Sequence, residues 1–271
     1  MLRGAETMAT AFPSARLRRL DGHVELAVAE SAGAVGSRPS RVTAIIAALY
    51  REIGGEPVTA VTARRISAAG REWLLQRAAR RFFGAAQWYE TVCDSCGASF
   101  DLQLSLDAIP HAEPGPGYPV AKVMTSIGQR LFEVPNGRHE EAYAAAGGKD
   151  ARRVFAALCG LSADAEAEAI RFDEVDLLRI DAGLEAVSPE IADGVDVVCP
   201  DCGIHGHARV DPLGFAFPNV GDVLGEVHTI AAAYHWSEEA ILDLPLPRRR
   251  AYVELIRAGR PSASSRGRWR P

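Results

Sequence analysis

The chain has 271 residues, enough for one large domain or two modest ones around a sizeable core. Apolar residues make up 48% and charged residues 24%, the balance of an ordinary globular protein. The formal net charge of -5 argues against a basic phosphate-binding domain, and no apolar run reaches the roughly 18 residues needed to cross a bilayer.

The N-terminal stretch MLRGAETMATAFPSARLRRL lacks the continuous apolar core of a signal peptide, so a cytoplasmic protein is expected. Residues 1–38 read as a partly ordered arm. Within it Val24, Leu26 and Val28 alternate as in a strand, before Gly, Ser and Pro interrupt. A helix is predicted over residues 39–53, with Ser40 as its cap, because Val42, Ile45, Ile46, Leu49 and Ile53 recur at helical spacing. Gly54 and Gly55 end it. A second helix is predicted over residues 67–83, closed by Gly84.

The period then changes. Residues 88–92 and 99–106 alternate apolar and polar side chains and read as the two arms of a hairpin whose turn is CDSCG. Residues 109–118 are a loop rich in Pro and Gly. A strand follows at 129–134, then a turn at Pro135-Asn136-Gly137. Helices are predicted at 140–146, 150–158, 163–170 and 174–192, the last broken near Pro189. A short strand at 195–198 leads into the second CxxC. The C-terminal third returns to helix at 219–233, at 237–242 with Ser237 as cap, and at 247–258 with Pro247 in the first turn. The fold class is therefore α+β, mostly helical with short antiparallel hairpins. One domain spans residues 39–260, and residues 261–271 form a polar, disordered tail.

Four of the five cysteines fall in two CxxC pairs, Cys93 with Cys96 and Cys199 with Cys202. In a reducing compartment such pairs indicate metal before disulfide. One knuckle supplies two thiolates, and two knuckles fill a tetrahedral zinc shell. A glycine follows each pair (Gly97, Gly203), where a positive φ lets backbone N–H groups turn toward the sulfurs. The reading is a split, zinc-ribbon-like site holding one structural Zn2+ per chain. A compact ribbon separates its knuckles by about 15–20 residues; here about a hundred intervene, so the metal is expected to pin the two halves of the chain together. VCDSCG and VCPDCG also form a faint internal repeat.

Other readings of these residues are weaker. Thioredoxin-like chemistry wants a single CxxC whose second Cys lies in a helix. His205 and His207 lie close enough to Cys202 to replace a ligand or support one, though four Cys make this unnecessary. Cys159 sits among Val154, Phe155, Leu158 and Leu161 and reads as a core residue. His23-Val24-Glu25 and His139-Glu140-Glu141 match HxE, but neither CxxC is preceded by Pro, so the zinc-deaminase pattern is incomplete. His139-Glu140-Glu141 reads instead as a solvated helix start. His228 and His235 lie seven apart on one helical face and read as packing or contact residues. With no catalytic constellation in view, a non-enzymatic protein is expected.

REWLLQ (residues 71–76), the first knuckle with SFDLQLSL, LFEVPNGRHEEA (131–142), the second knuckle and EVHTIAAAYHWSEEAILDLPLPRRRAYVELI (226–256) together resemble a family encoded beside tail genes in phages and contractile injection systems. Such proteins are similar to T4-type baseplate hub assembly chaperones or baseplate accessory proteins. The resemblance implies a zinc-stabilised structural or assembly role, with baseplate or hub proteins as partners and incorporation into the particle left open. The alternative is a nucleic-acid-binding zinc-ribbon regulator, which the acidic balance disfavours.

Overall fold

The computed structural model describes residues 2–83, 86–105, 110–146 and 150–259. The predicted tail at 261–271, and the strand end at Leu106, lie outside the described residues.

The N-terminal segment is built into the fold rather than loosely attached. Strand β1 (Ala15–Leu17) pairs antiparallel with β2 (Tyr50–Ile53), which also pairs with β3 (Glu56–Pro57). The alternation of Val24, Leu26 and Val28 belongs to a helix, α1 (Gly22–Gly33), not a strand. Asp21 caps it by accepting from the Val24 amide at 3.0 Å, a signal that overrides a short period-2 pattern. Helix α2 (Arg38–Leu49) starts one residue earlier than predicted and is capped by Ser37, not Ser40. It stops at Leu49 because Tyr50–Ile53 joins the sheet, and Gly54 and Gly55 turn the chain at φ 60° and 85°.

A short α3 (Ala60–Arg64) precedes α4 (Ala68–Phe83), the central helix. The hairpin β4 (Ala86–Val92) and β5 (Ser99–Ser105) follows. Within the predicted loop lies a two-residue strand, β6 (His111–Ala112). The strand predicted at 129–134 is β8 (Gly128–Glu133), and it has an unpredicted partner in β7 (Val120–Thr125). Next come α5 (Gly137–Ala146), α6 (Ala151–Cys159), α7 (Ala165–Arg171) and α8 (Glu174–Val187). After Pro189 the chain forms β9 (Glu190–Ile191), which pairs with β6. The second hairpin is β10 (Gly194–Val198) and β11 (His205–Arg209). A 3-10 turn at Pro212–Gly214 leads to α9 (Val220–Tyr234), α10 (Glu238–Leu242) and α11 (Leu246–Gly259).

Burial of apolar side chains organises these elements into four clusters. In the first, Val42, Ile45, Ile46 and Leu49 of α2 face Leu74, Leu75 and Ala78 of α4. The Tyr50 hydroxyl there donates to the Leu74 carbonyl at 2.8 Å, which satisfies its buried polar end. In the second, the β7–β8 hairpin lies on α8 through Val123, Leu177 and Ile180. Gly183 permits that approach, since a Cβ there would sit 2.6 Å from Val123 Cγ2. The third joins Ala29 of α1 to Val227 and Ile230 of α9 and Val253 of α11. The fourth is small: Ala79 of α4 with Val210 and Ala216, flanked by Tyr89, Leu102, Val195 and Phe215. It seats both cysteine hairpins. No helix among the described residues is long and apolar enough to cross a membrane.

Candidate metal centre

The two knuckles are the same turn built twice. In the first, the ladder closes at Val92 opposite Ser99, the Cys93 amide donates to the Ala98 carbonyl at 2.9 Å, and the Gly97 amide donates to the Cys93 carbonyl at 2.8 Å. In the second, Val198 lies opposite His205, the Cys199 amide donates to Ile204 at 3.0 Å, and the Gly203 amide donates to Cys199 at 2.9 Å. Gly97 and Gly203 take φ of 75° and 70°, the left-handed backbone that a Cβ disfavours. That turn brings the second Cys of each pair back beside the first.

The hairpins converge so that all four sulfurs lie within 4.8 Å of one another. Cys93 Sγ is 3.8 Å from Cys202 Sγ, and Cys96 Sγ is 3.7 Å from Cys199 Sγ. The first Cys of each knuckle thus faces the second Cys of the other, the crossing that a local two-fold relation produces. These separations exclude disulfides, whose sulfurs sit about 2.05 Å apart. They match the edge of a sulfur tetrahedron, about 3.8 Å when each metal–sulfur bond is about 2.3 Å. The four cysteines could therefore hold one metal ion. Cys199 is buried, Cys93 half-buried, and Cys96 and Cys202 are exposed.

The thiols also need a cation to coexist as thiolates. The backbone amides of Cys96 and Ser95 bring the Cys93 thiol down to about 7. The Ala98 amide favours the Cys96 thiolate too, but its hydrogen bond with Cys202, burial, and its bonds with Cys93 and Cys199 push it up to about 12. Cys202 is raised as well: the Ile204 amide pulls it down, and burial and Cys199 outweigh that pull. One sulfur ionises readily and its neighbours then resist, as close like charges must. A divalent ion reverses that repulsion.

Neither nearby histidine joins the sulfurs. His207 Nδ1 lies 3.2 Å from Asp196 and Nε2 3.2 Å from Asp193, so both ring nitrogens are engaged by carboxylates, which raise its pKa. His205 is exposed on β11. Cys159 is fully buried in α6, and burial pushes its thiol up to about 12, as befits a core residue.

His139-Glu140-Glu141 is not a solvated helix start. His139 is 1% exposed, and Glu140 pairs with Arg71 at 2.8 Å while Glu141 pairs with Arg64 at 2.8 Å. Arg71, also 1% exposed, donates to the carbonyls of Pro39 and Ala63 and to Thr43 Oγ1. Glu133 is buried and accepts from the amides of Glu6 and Thr7. REWLLQ and LFEVPNGRHEEA therefore meet in the interior, through ion pairs that no helical or strand period encodes. In the other HxE match, Glu25 is buried against Arg249, far in role from any ligand set.

Sequence reasoning also missed a cleft of about 970 Å3 beside α4, lined in part by Arg38, Glu72 and Gln76. Its walls come from segments remote in sequence, so no local motif marks it. No protein-family model, curated protein or solved structure matches the chain.

Proposed function

We propose that Cys93, Cys96, Cys199 and Cys202 hold one structural Zn2+, and that the protein is a non-enzymatic assembly chaperone or accessory protein for the baseplate or hub of a phage-tail-like contractile particle. The observation that carries this reading is the crossing of four sulfurs from two remote hairpins. A set of four thiolates completes the zinc shell and leaves no position for a substrate or activated water. The metal then supplies charge neutralisation and a rigid clip. It does not supply chemistry.

Two further features support a protein-binding role. At the C-terminal end, Tyr234, Trp236 and Tyr252 pack ring against ring at 5.2–5.7 Å. Tyr234 and Trp236 stay exposed, as does Leu255, and apolar surface of this kind is what partner proteins cover. The knuckle hairpins, by contrast, carry Glu90, Asp94, Asp101, Asp193, Asp196 and Asp201. Such an acidic surround repels phosphates and weighs against a nucleic-acid-binding ribbon.

Elemental analysis of the purified protein tests the metal: one zinc per chain is expected, falling to background in Cys93→Ser and Cys199→Ser. Co-purification from a particle-producing cell tests the role. Recovery of baseplate or hub proteins with the tagged chain is the expected result, and recovery of none would overturn it.

A further inference from the structure

The cleft beside α4, about 970 Å3, is lined by none of the four cysteines. Its volume lies at the upper end of the range of about 300–1,000 Å3 that small-ligand sites occupy. The apolar part of its wall comes from Ala68 and Ala69 in the first turn of α4 and from Pro110, Pro189 and Ile191 around the β6–β9 pair. The small side chains of α4 leave the floor open.

Gln76 lines this cleft and is only 6% exposed. Its side-chain amide has no hydrogen-bond partner among the described residues. An amide carries one acceptor and two donors, which a ligand in the cleft can meet. At this end of α4, Arg71 donates to Thr43 Oγ1 and to the carbonyls of Pro39 and Ala63 and pairs with Glu140, and Glu72 is bonded by Arg38. Gln76 has no such partner among the described residues, and it lines the cleft.

The charges around that space are unbalanced. Arg38 bridges two carboxylates, with Nη2 3.0 Å from Glu72 Oε2 and 2.9 Å from Asp211 Oδ1, which leaves one negative charge in excess. Glu190, on the rim, has no ion partner among the described residues. Glu140 is paired with Arg71, and Asp193 with Arg209 and His207. Burial above all, with the Glu72 charge adding, raises the Glu140 pKa against the pull of Arg71. Glu190 and the Glu72–Arg38–Asp211 set leave a net negative charge around the cleft, which favours an incoming cation.

We propose that this cleft binds a cationic N–H donor on an apolar stem, a guanidinium or ammonium group that donates to the Gln76 carbonyl and neutralises the charge of Glu190 and the Glu72–Arg38–Asp211 set. The stem lies along the Ala and Pro walls. This chemistry has two sources, a free amine or the basic side chain of a peptide. The site is independent of the zinc and of the baseplate reading.

Isothermal titration of the full chain tests it with three probes: arginine amide, citrulline amide, which keeps the α-amine but has a neutral ureido group in place of the guanidinium, and acetyl-Ala-Arg-Ala-amide. Arginine amide will bind saturably and citrulline amide at least tenfold more weakly. Gln76→Leu, which removes the polar amide at similar size, will weaken arginine amide at least fivefold while keeping its zinc content and melting temperature. Glu190→Gln, a rim change that leaves packing untouched, will weaken it similarly and carries the test if Gln76→Leu does not fold. Tighter binding of the tripeptide than of arginine amide identifies a peptide side chain as the ligand; equal or weaker binding identifies a free amine. Absence of saturable binding by both arginine probes overturns the proposal, as does equal affinity for citrulline amide or unchanged affinity in the variants.

Discussion

At the scale of single residues, His139 shows how burial sets chemistry. Its Nδ1 faces the Asn136 amide at 3.3 Å and its Nε2 faces Arg138 Nη2 at 3.0 Å. A neutral ring can accept at only one nitrogen, and a protonated ring at neither. Burial first, and the Arg138 charge second, lower its pKa to about 4 from an ordinary 6.5. Glu133 lies 3.7 Å from Nε2, but its charge is already engaged by the amides of Glu6 and Thr7. The folded state thus binds fewer protons than the unfolded chain between about pH 4 and 6.5. The stability this histidine contributes is complete above about pH 6.5 and is lost as pH falls toward 4. Urea unfolding at pH 8 and pH 5 will show about 2 kcal/mol less stability for the wild type at the lower pH from this group. His139→Gln will flatten that difference; an equal slope in both proteins would assign the pH dependence elsewhere. The sequence placed His139 correctly near a helix start and misjudged its surroundings. Solvation is a property of what packs over a turn, and Glu6 and Thr7 come from more than a hundred residues away.

At the scale of elements, α4 and α5 are tied by a charge, not by an apolar seam alone. Arg71 reaches Glu140 of α5 and also holds the Pro39 and Ala63 carbonyls, so one guanidinium orders α2, α3, α4 and α5. Removing one partner of a buried ion pair leaves the other uncompensated. Arg71→Met will lower unfolding free energy by about 3 kcal/mol or more. Arg152→Ala, on a solvent-exposed pair with Glu174 and Asp181, will change it by less than about 0.5 kcal/mol. Comparable losses in the two variants would show that Arg71 is no keystone. Most helices were legible because their apolar faces and caps are local: Asp150, Asp173, Asn219 and Ser237 each cap the helix that follows. Strands β6, β7 and β9 were not legible. Two residues carry no period, and β7 shows its half-buried alternation only once β8 pairs with it.

At the scale of the molecule, a metal held by the four cysteines would close a loop of about a hundred residues, a constraint worth about 5 kcal/mol in chain entropy. Yet the two halves of the chain are also interlocked without it. Arg38 reaches Asp211, β6 pairs with β9, and Arg249 of α11 is buried against Glu25 of α1. The expectation that the metal pins the halves together therefore narrows to the two hairpins, whose own cluster contains only small buried residues. A strong chelator will lower the melting temperature and speed amide exchange in residues 86–105 and 194–209, with α2 and α4 still protected. Uniform loss of protection across the chain would show instead that the metal holds the whole fold.

The sequence alone picked out the four clustered cysteines and the turns that carry them, because a CxxCG knuckle is complete within a few residues. It also determined most helices, through periodicity and caps. Only the tertiary structure decided that the two knuckles meet, which sulfur faces which, where Arg71, Glu133 and Arg249 find their partners, and that Gln76 faces an open cleft. Those relations join segments far apart along the chain, and a contact between remote residues depends on the packing of everything between them.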